Sequence, residues 1–208
     1  MPALLQQINS EMAAVIGEAR KSLVQLRNGR QSTGAGTVLH SDGLIVTNAH
    51  VLGRRAPKVV LWDGRVLQSR ILATDKKKDL AIVAAETRDL PTIEMGNGRQ
   101  VRPGQWVVAL GHPWGVTGAC TAGMVIAAGE TVEQLPYHGE LIQVGLQLRP
   151  GHSGGPMLDE NGRLIGINTM ISGPGVGLAI PIHTVKRFLK KTLGTGEPIS
   201  TEPEIKLL

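Results

Sequence analysis

The stretch Pro150-Gly151-His152-Ser153-Gly154-Gly155-Pro156 sets one hydroxyl among three glycines, between two prolines. Glycine reaches positive φ and lets another backbone come close. Proline at either end stiffens the loop. A serine held there is exposed, fixed in direction and surrounded by backbone N–H groups free of bulky side chains. Such groups are suited to stabilise an oxyanion, usually the largest single contribution to acyl-transfer catalysis. A serine hydroxyl is a weak nucleophile, however, and needs a base, normally a histidine oriented by a carboxylate. Two further stretches offer those groups. Thr47-Asn48-Ala49-His50-Val51 follows the apolar run Leu44-Ile45-Val46, and Asp79 heads Leu80-Ala81-Ile82-Val83. Read alone, the serine loop is equally well a glycine-rich turn with an idle hydroxyl.

The elements that must carry these groups read mostly as strands. Leu5, Ile8, Met12, Val15 and Ala19 recur at spacings of three and four, the stripe of an amphipathic helix. From Ser22 the period changes. Strands are predicted at 22–26, 36–40, 44–47, 58–62, 66–74 and 80–84, with Asn28-Gly29 and Asp63-Gly64 as turn signals. His50 and Asp79 then fall in loops at strand ends, where reactive groups sit on a rigid scaffold. A second set is predicted at 105–110, 119–128, 140–148, 156–158, 164–168 and 176–181. A closing helix ends in Lys190-Lys191, favourable at the negative end of its dipole.

The order His50, Asp79, Ser153 and the surrounding motifs resemble the chymotrypsin-fold serine endopeptidases, within them the HtrA/Deg branch. The resemblance runs from about Ser22 to Leu193. It rests on Gly34-Ala35-Gly36-Thr37-Val38, the His50 and Asp79 motifs, Gly111-His112-Pro113-Trp114-Gly115, the Ser153 loop, Gly166-Ile167-Asn168-Thr169 and Gly177-Leu178-Ala179-Ile180-Pro181. It implies an all-β fold of two packed six-stranded antiparallel β-barrels with short N- and C-terminal helices. The protease domain would span 1–194, with a helix at 3–20, a first barrel at 21–87, a second at 100–182, a helix at 183–193 and a flexible tail at 195–208. It also implies His50, Asp79 and Ser153 as catalytic residues and the N–H groups of Gly151 and Ser153 as the oxyanion hole. Leu148 and Ile171 map to the specificity pocket, whose aliphatic walls favour cleavage after small or medium apolar residues. The implied activity is hydrolysis of unfolded or flexible polypeptides through an acyl-enzyme, in protein quality control, with no cofactor and no metal. His152 departs from the pattern, standing where the branch usually has asparagine. Neither a PDZ domain nor a signal segment is read in the sequence. A rival reading keeps the fold as a silent polypeptide-binding module; the intact triad argues against it and His152 leaves it open.

Composition narrows the remaining choices. The chain has 208 residues, 41% of them hydrophobic but only 2% aromatic, so its core must be built from Val, Ile, Leu and Ala. The net charge of +5 comes from dispersed basic residues. Single-strand nucleic-acid binding usually adds aromatic stacking platforms, which are nearly absent, so nucleic acid is not an expected partner. No run approaches a membrane span. The N-terminal stripe has two readings: packing on the first barrel, or contact in a homo-oligomer, a trimer in the resemblance. Cys120 is the only cysteine and reads as a small buried hydrophobe. With Met1-to-Leu5 lacking a signal peptide's character, the lone thiol gives a cytoplasmic expectation. His40, His112, His138 and His183 make no metal-ligand spacing and read as surface or loop residues. Lys76-Lys77-Lys78 reads as a solvated turn.

Overall fold

The computed structural model describes residues 2–29, 31–130, 137 and 139–194; His138 and the tail at 195–208 lie outside them. Helix α1 (Pro2–Ala19) leads into strands β1 (Leu23–Asn28), β2 (Gln31–His40), β3 (Leu44–Thr47), β4 (Lys58–Val60), β5 (Val66–Leu67), β6 (Ser69–Asp75) and β7 (Leu80–Ala85). These form one antiparallel sheet in the order β5-β4-β1-β2-β3-β7-β6. Strands β8 (Trp106–Gly111), β9 (Ala119–Glu130), β10 (Leu141–Gly145), β11 (Pro156–Leu158), β12 (Leu164–Gly173) and β13 (Val176–Pro181) close a six-stranded barrel, and α2 (Ile182–Leu193) follows.

The all-β fold class expected from the sequence is the one observed, with one difference in the first unit. The single strand predicted at 66–74 is broken at Gln68. Its first part pairs with β4 and its second with β7, so the two edges of the sheet are consecutive in sequence. The seven strands therefore roll until the edges meet at one bent strand. A strand that changes partners at a single residue keeps its alternation of faces, so periodicity does not reveal the break.

Three apolar clusters hold the molecule together. One lies inside the rolled sheet, around Val24, Leu26, Ile45 and Val83. A second fills the closed barrel, around Val107, Ile142, Val144 and Met157. The largest lies between the units and joins Val46, Leu80 and Ile82 to Leu110, Leu158 and Ile180, with Phe188 of α2. Burying each such side chain contributes roughly 1.5–3 kcal/mol. The core is aliphatic, as composition required; Trp62, Trp106 and Trp114 are all exposed.

Two expectations are corrected here. Helix α1 does not sit on the first sheet alone but reaches both units. Met12 and Ile16 reach the central cluster, and the last turns flank Pro91–Glu94 and the Asn161-Gly162 turn of the second unit. Residues 3–11 are exposed along their whole length. Cys120 is likewise exposed, not buried. On β9 the residues alternate, so Cys120, Ala122, Met124 and Ile126 face outward while Gly123 and Val125 face the barrel.

Candidate active site

His50 lies in a single 3-10 turn, Ala49–Val51, directly after β3. Asp79 ends the turn between β6 and β7, with a left-handed φ of 47°. Ser153 precedes β11 in the second unit. The interface between the rolled sheet and the barrel thus brings together three residues that are far apart in sequence.

The Asp79 carboxylate is held by His50 and Thr169. It accepts the His50 backbone N–H at 3.0 Å and faces His50 Nδ1 at 2.8 Å through Oδ2. Its third partner is the Thr169 hydroxyl, which donates at 2.6 Å. Asn48 secures the same turn by donating its side-chain amide to the Asp79 carbonyl at 3.0 Å. Burial alone would raise the Asp79 pKa. The hydrogen bonds from His50 and Thr169, with the charge of His50, outweigh it and hold the carboxyl below its ordinary value. With Nδ1 turned to Asp79, Nε2 is the imidazole nitrogen left for other work.

Ser153 is in the same cleft but not yet on His50. Its hydroxyl donates to the Thr169 carbonyl at 2.8 Å. A cleft of about 320 Å³ is lined by His50, Ser153, Gly151, Leu148 and Ile171, among others, so the site residues expected from sequence converge on one surface. Leu148 is buried at its base and Ile171 half-exposed at its rim. Thr169 was not singled out from sequence, although it touches both Asp79 and Ser153. Its one signal in the sequence is its place after Asn168 in Gly166-Ile167-Asn168-Thr169.

The serine loop is held by turns and by the neighbouring unit. His152 N–H donates to Arg149 O at 3.0 Å, with Pro150 second and Gly151 third at φ +106°, the arrangement of a type II turn. Gly151 O in turn accepts the His112 N–H at 2.9 Å. Gly154 has φ +85°, and a Cβ there would lie 2.1 Å from Ala35 O and 2.3 Å from Thr47 Oγ1. Only glycine lets the loop approach the first sheet this closely, where Ala35 N–H donates to Ser153 O at 2.8 Å. Among the described residues, the N–H groups of Gly151 and Ser153 have no acceptor.

His152 is buried, and its Nδ1 lies 3.2 Å from Arg149 N and 3.1 Å from Arg149 O. The ring braces the turn from behind. Burial lowers its pKa. His112, read as a surface or loop residue, lies in a loop but is also buried: its Nδ1 accepts the Gly118 N–H at 3.2 Å. His183 is mostly buried against the Glu140 carboxylate, while His40 is exposed. Among the described residues no group of three or more His, Cys, Asp or Glu is placed to hold a metal ion.

Comparison with known proteins places this geometry. A family model described as a trypsin-like peptidase domain matches residues 34–167. The chain is 38% identical over 172 residues to a probable periplasmic serine endoprotease DegP-like of Hahella chejuensis, covering 80% of this chain and 36% of that protein. It is 35% identical over 170 residues to the protein of the same name from Chlamydia trachomatis serovar D, covering 79% and 34%. The chain thus spans about a third of the length of these curated relatives. The solved structure titled HtrA-type protease AlgW with decapeptide superposes with a TM-score of 0.81 at 27% identity, over 87% of this chain and 67% of that one. The relatives' names overturn the cytoplasmic expectation. A lone thiol shows only that no internal disulfide forms, which is compatible with either side of a membrane.

Proposed function

We propose, for a chain that belongs to the trypsin-like peptidase domain family and has HtrA/DegP-like serine proteases as homologues, that it is a serine endopeptidase acting on unfolded or flexible polypeptides. The observation that carries this reading is the Asp79–His50 pair facing one cleft with Ser153, beside two N–H groups without acceptors among the described residues. Rotation about one side-chain torsion frees the Ser153 hydroxyl from Thr169 O. Its oxygen then bonds to the substrate carbonyl carbon while its proton passes to His50 Nε2. The carbonyl electron pair rests on the oxygen, which the Gly151 and Ser153 N–H groups receive. Collapse breaks the C–N bond, and the leaving amine takes the proton from His50. Water repeats the sequence on the acyl-enzyme. Asp79 stays ionised and holds the imidazole tautomer, and Thr169 positions Asp79. No step calls for a cofactor. The periplasmic naming of the relatives supports the same compartment here.

Leu148 and Ile171 support a preference for Val, Ala, Ile or Leu before the cut bond. A digest of unfolded casein, with the cut sites read by mass spectrometry, tests activity and preference together. Cuts after these four residues should dominate. Cuts mainly after Lys or Arg would overturn the pocket assignment, since burying a cation against aliphatic walls is costly.

The exposed first half of α1 supports a homo-oligomer. Leu4 and Leu5 are 62% and 61% exposed on a helix whose other end is anchored in the core. Burying such residues between copies is favourable. Light scattering should return a trimer that dissociates when Leu4, Leu5 and Ile8 are changed to Gln. A monomeric wild-type chain would overturn this.

A further inference from the structure

We infer that the cleft selects polypeptides carrying acidic side chains on both sides of the cut bond, gripped by Arg149 at one end and by Lys76 and Lys77 at the other. The inference deepens the peptidase reading and rests on it.

Arg149 lines the cleft beside Leu148 and Ser153. Its guanidinium lies 4.4 Å from the centre of the Trp114 ring, a cation–π contact, and Nη2 donates to Gln147 Oε1 at 2.7 Å. Trp114 is 71% exposed and has φ +51°, a conformation uncommon for a bulky residue. An exposed ring held this way does little for the core. It forms a shelf that fixes a long cationic side chain. The shelf is tied to the serine loop, because His112, two residues earlier, donates its N–H to Gly151 O. A stacked guanidinium keeps most of its five N–H donors in its plane and presents them to a carboxylate.

Lys76 and Lys77 line a second depression of about 350 Å³, with Asp79 and Tyr137, which meets the first at His50, Thr169 and Met170. Their neighbour Lys78 is paired with Asp75 at 3.5 Å. Among the described residues no ion pair engages Lys76, Lys77 or Arg149. Among the described residues Asp79 is the one carboxylate lining either depression, and His50 and Thr169 already occupy it. Both ends of the groove therefore carry positive side chains that no ion pair among the described residues engages. Walls of low dielectric focus such a field, which attracts acidic chains and disfavours basic ones.

The test uses ten-residue peptides with a central Val or Leu and Glu, Gln or Lys two or three positions to either side. At low ionic strength, kcat/KM for each Glu peptide should exceed that of its Gln counterpart about three- to tenfold, and the ratio should shrink as salt is added. Arg149→Gln should bring the ratio close to one for one flank only. The double change Lys76→Gln and Lys77→Gln should do so for the opposite flank. Trp114→Ala keeps the charge but removes the shelf, and should lower the Arg149-dependent ratio. Binding of the same peptides to Ser153→Ala, followed by fluorescence anisotropy, gives a readout that needs no cleavage. Equal cutting and equal binding of Glu and Gln peptides would overturn the inference and leave the peptidase reading intact. So would a ratio that survives in the variant lacking all three cations. Tighter binding of Glu peptides without cleavage of any peptide would sustain the inference and remove the peptidase reading.

Discussion

Ser153→Ala is expected to lower kcat on an unfolded polypeptide by about 10⁶-fold with little change in KM. The argument is geometric. His50 presents one ring nitrogen to Asp79 and keeps the other for the cleft, so the proton route exists only if a hydroxyl enters that cleft. Ser153 is the hydroxyl there with two N–H groups beside it, its own and that of Gly151, that find no acceptor among the described residues. Removing Oγ deletes one hydrogen bond, to Thr169 O, at a cost of about 1 kcal/mol in stability, so the variant should fold. The comparison is cleaner than His50→Ala, which would leave the largely buried Asp79 carboxylate without its main partner. A fluorophosphonate should add one adduct mass to the wild-type chain, on the peptide containing Ser153, and none to the variant. Turnover by Ser153→Ala within about a hundredfold of wild type would mean that another group is the nucleophile and that the assignment is wrong.

Much of this site is legible in the sequence because its members sit in short motifs whose residue types have few other uses. His50 follows an apolar strand in Thr47-Asn48-Ala49-His50, and Asn48 proves to be the residue that secures the Asp79 turn. The glycines around Ser153 are legible for the same reason: no other residue has room at Gly154. What stays hidden depends on contacts between the two units. Thr169 lies 90 residues from Asp79, and nothing local to an Asn-Thr pair says that its hydroxyl will meet a carboxylate. The seat of α1 is hidden too, since an apolar stripe states that a face is covered without saying by what. His112 is the sharpest case. It reads as a surface or loop residue, yet its loop folds under the serine turn: its N–H donates to Gly151 O, and its ring accepts the Gly118 N–H further along the same loop. Local polarity predicts exposure only where no other segment comes to lie on top.

The buried histidines lead to the second large effect, a loss of stability between about pH 6.5 and pH 4. Burial lowers the His112 pKa to about 4, aided by the positive charges of Arg20 and Arg27 and by His152, and opposed by a backbone contact with Val24. His152 is shifted in the same direction, also by burial first. The His112 Nδ1 already accepts the Gly118 N–H, so a proton there would set one N–H against another; at His152 the nearby Arg149 carbonyl partly offsets the cost of burial. The folded chain therefore resists a proton that the unfolded chain accepts from about pH 6.5 downward. Between the two pKa values the unfolded state binds more protons, so stability falls as pH falls and levels off below the folded value. For His112 alone the full difference is about 3 kcal/mol, or a drop of roughly 6–12 °C in Tm for a domain of this size. Asp79, whose lowered pKa acts in the same sense, adds its loss at lower pH. His112→Asn isolates the effect, because an amide oxygen can accept the Gly118 N–H without titrating. Thermal unfolding of both proteins from pH 7.5 to pH 4 should show the wild type losing about 3 kcal/mol more than the variant. Parallel curves would mean that His112 takes up its proton in the fold as readily as in the unfolded chain, and the account of the ring as a buried neutral acceptor would fail.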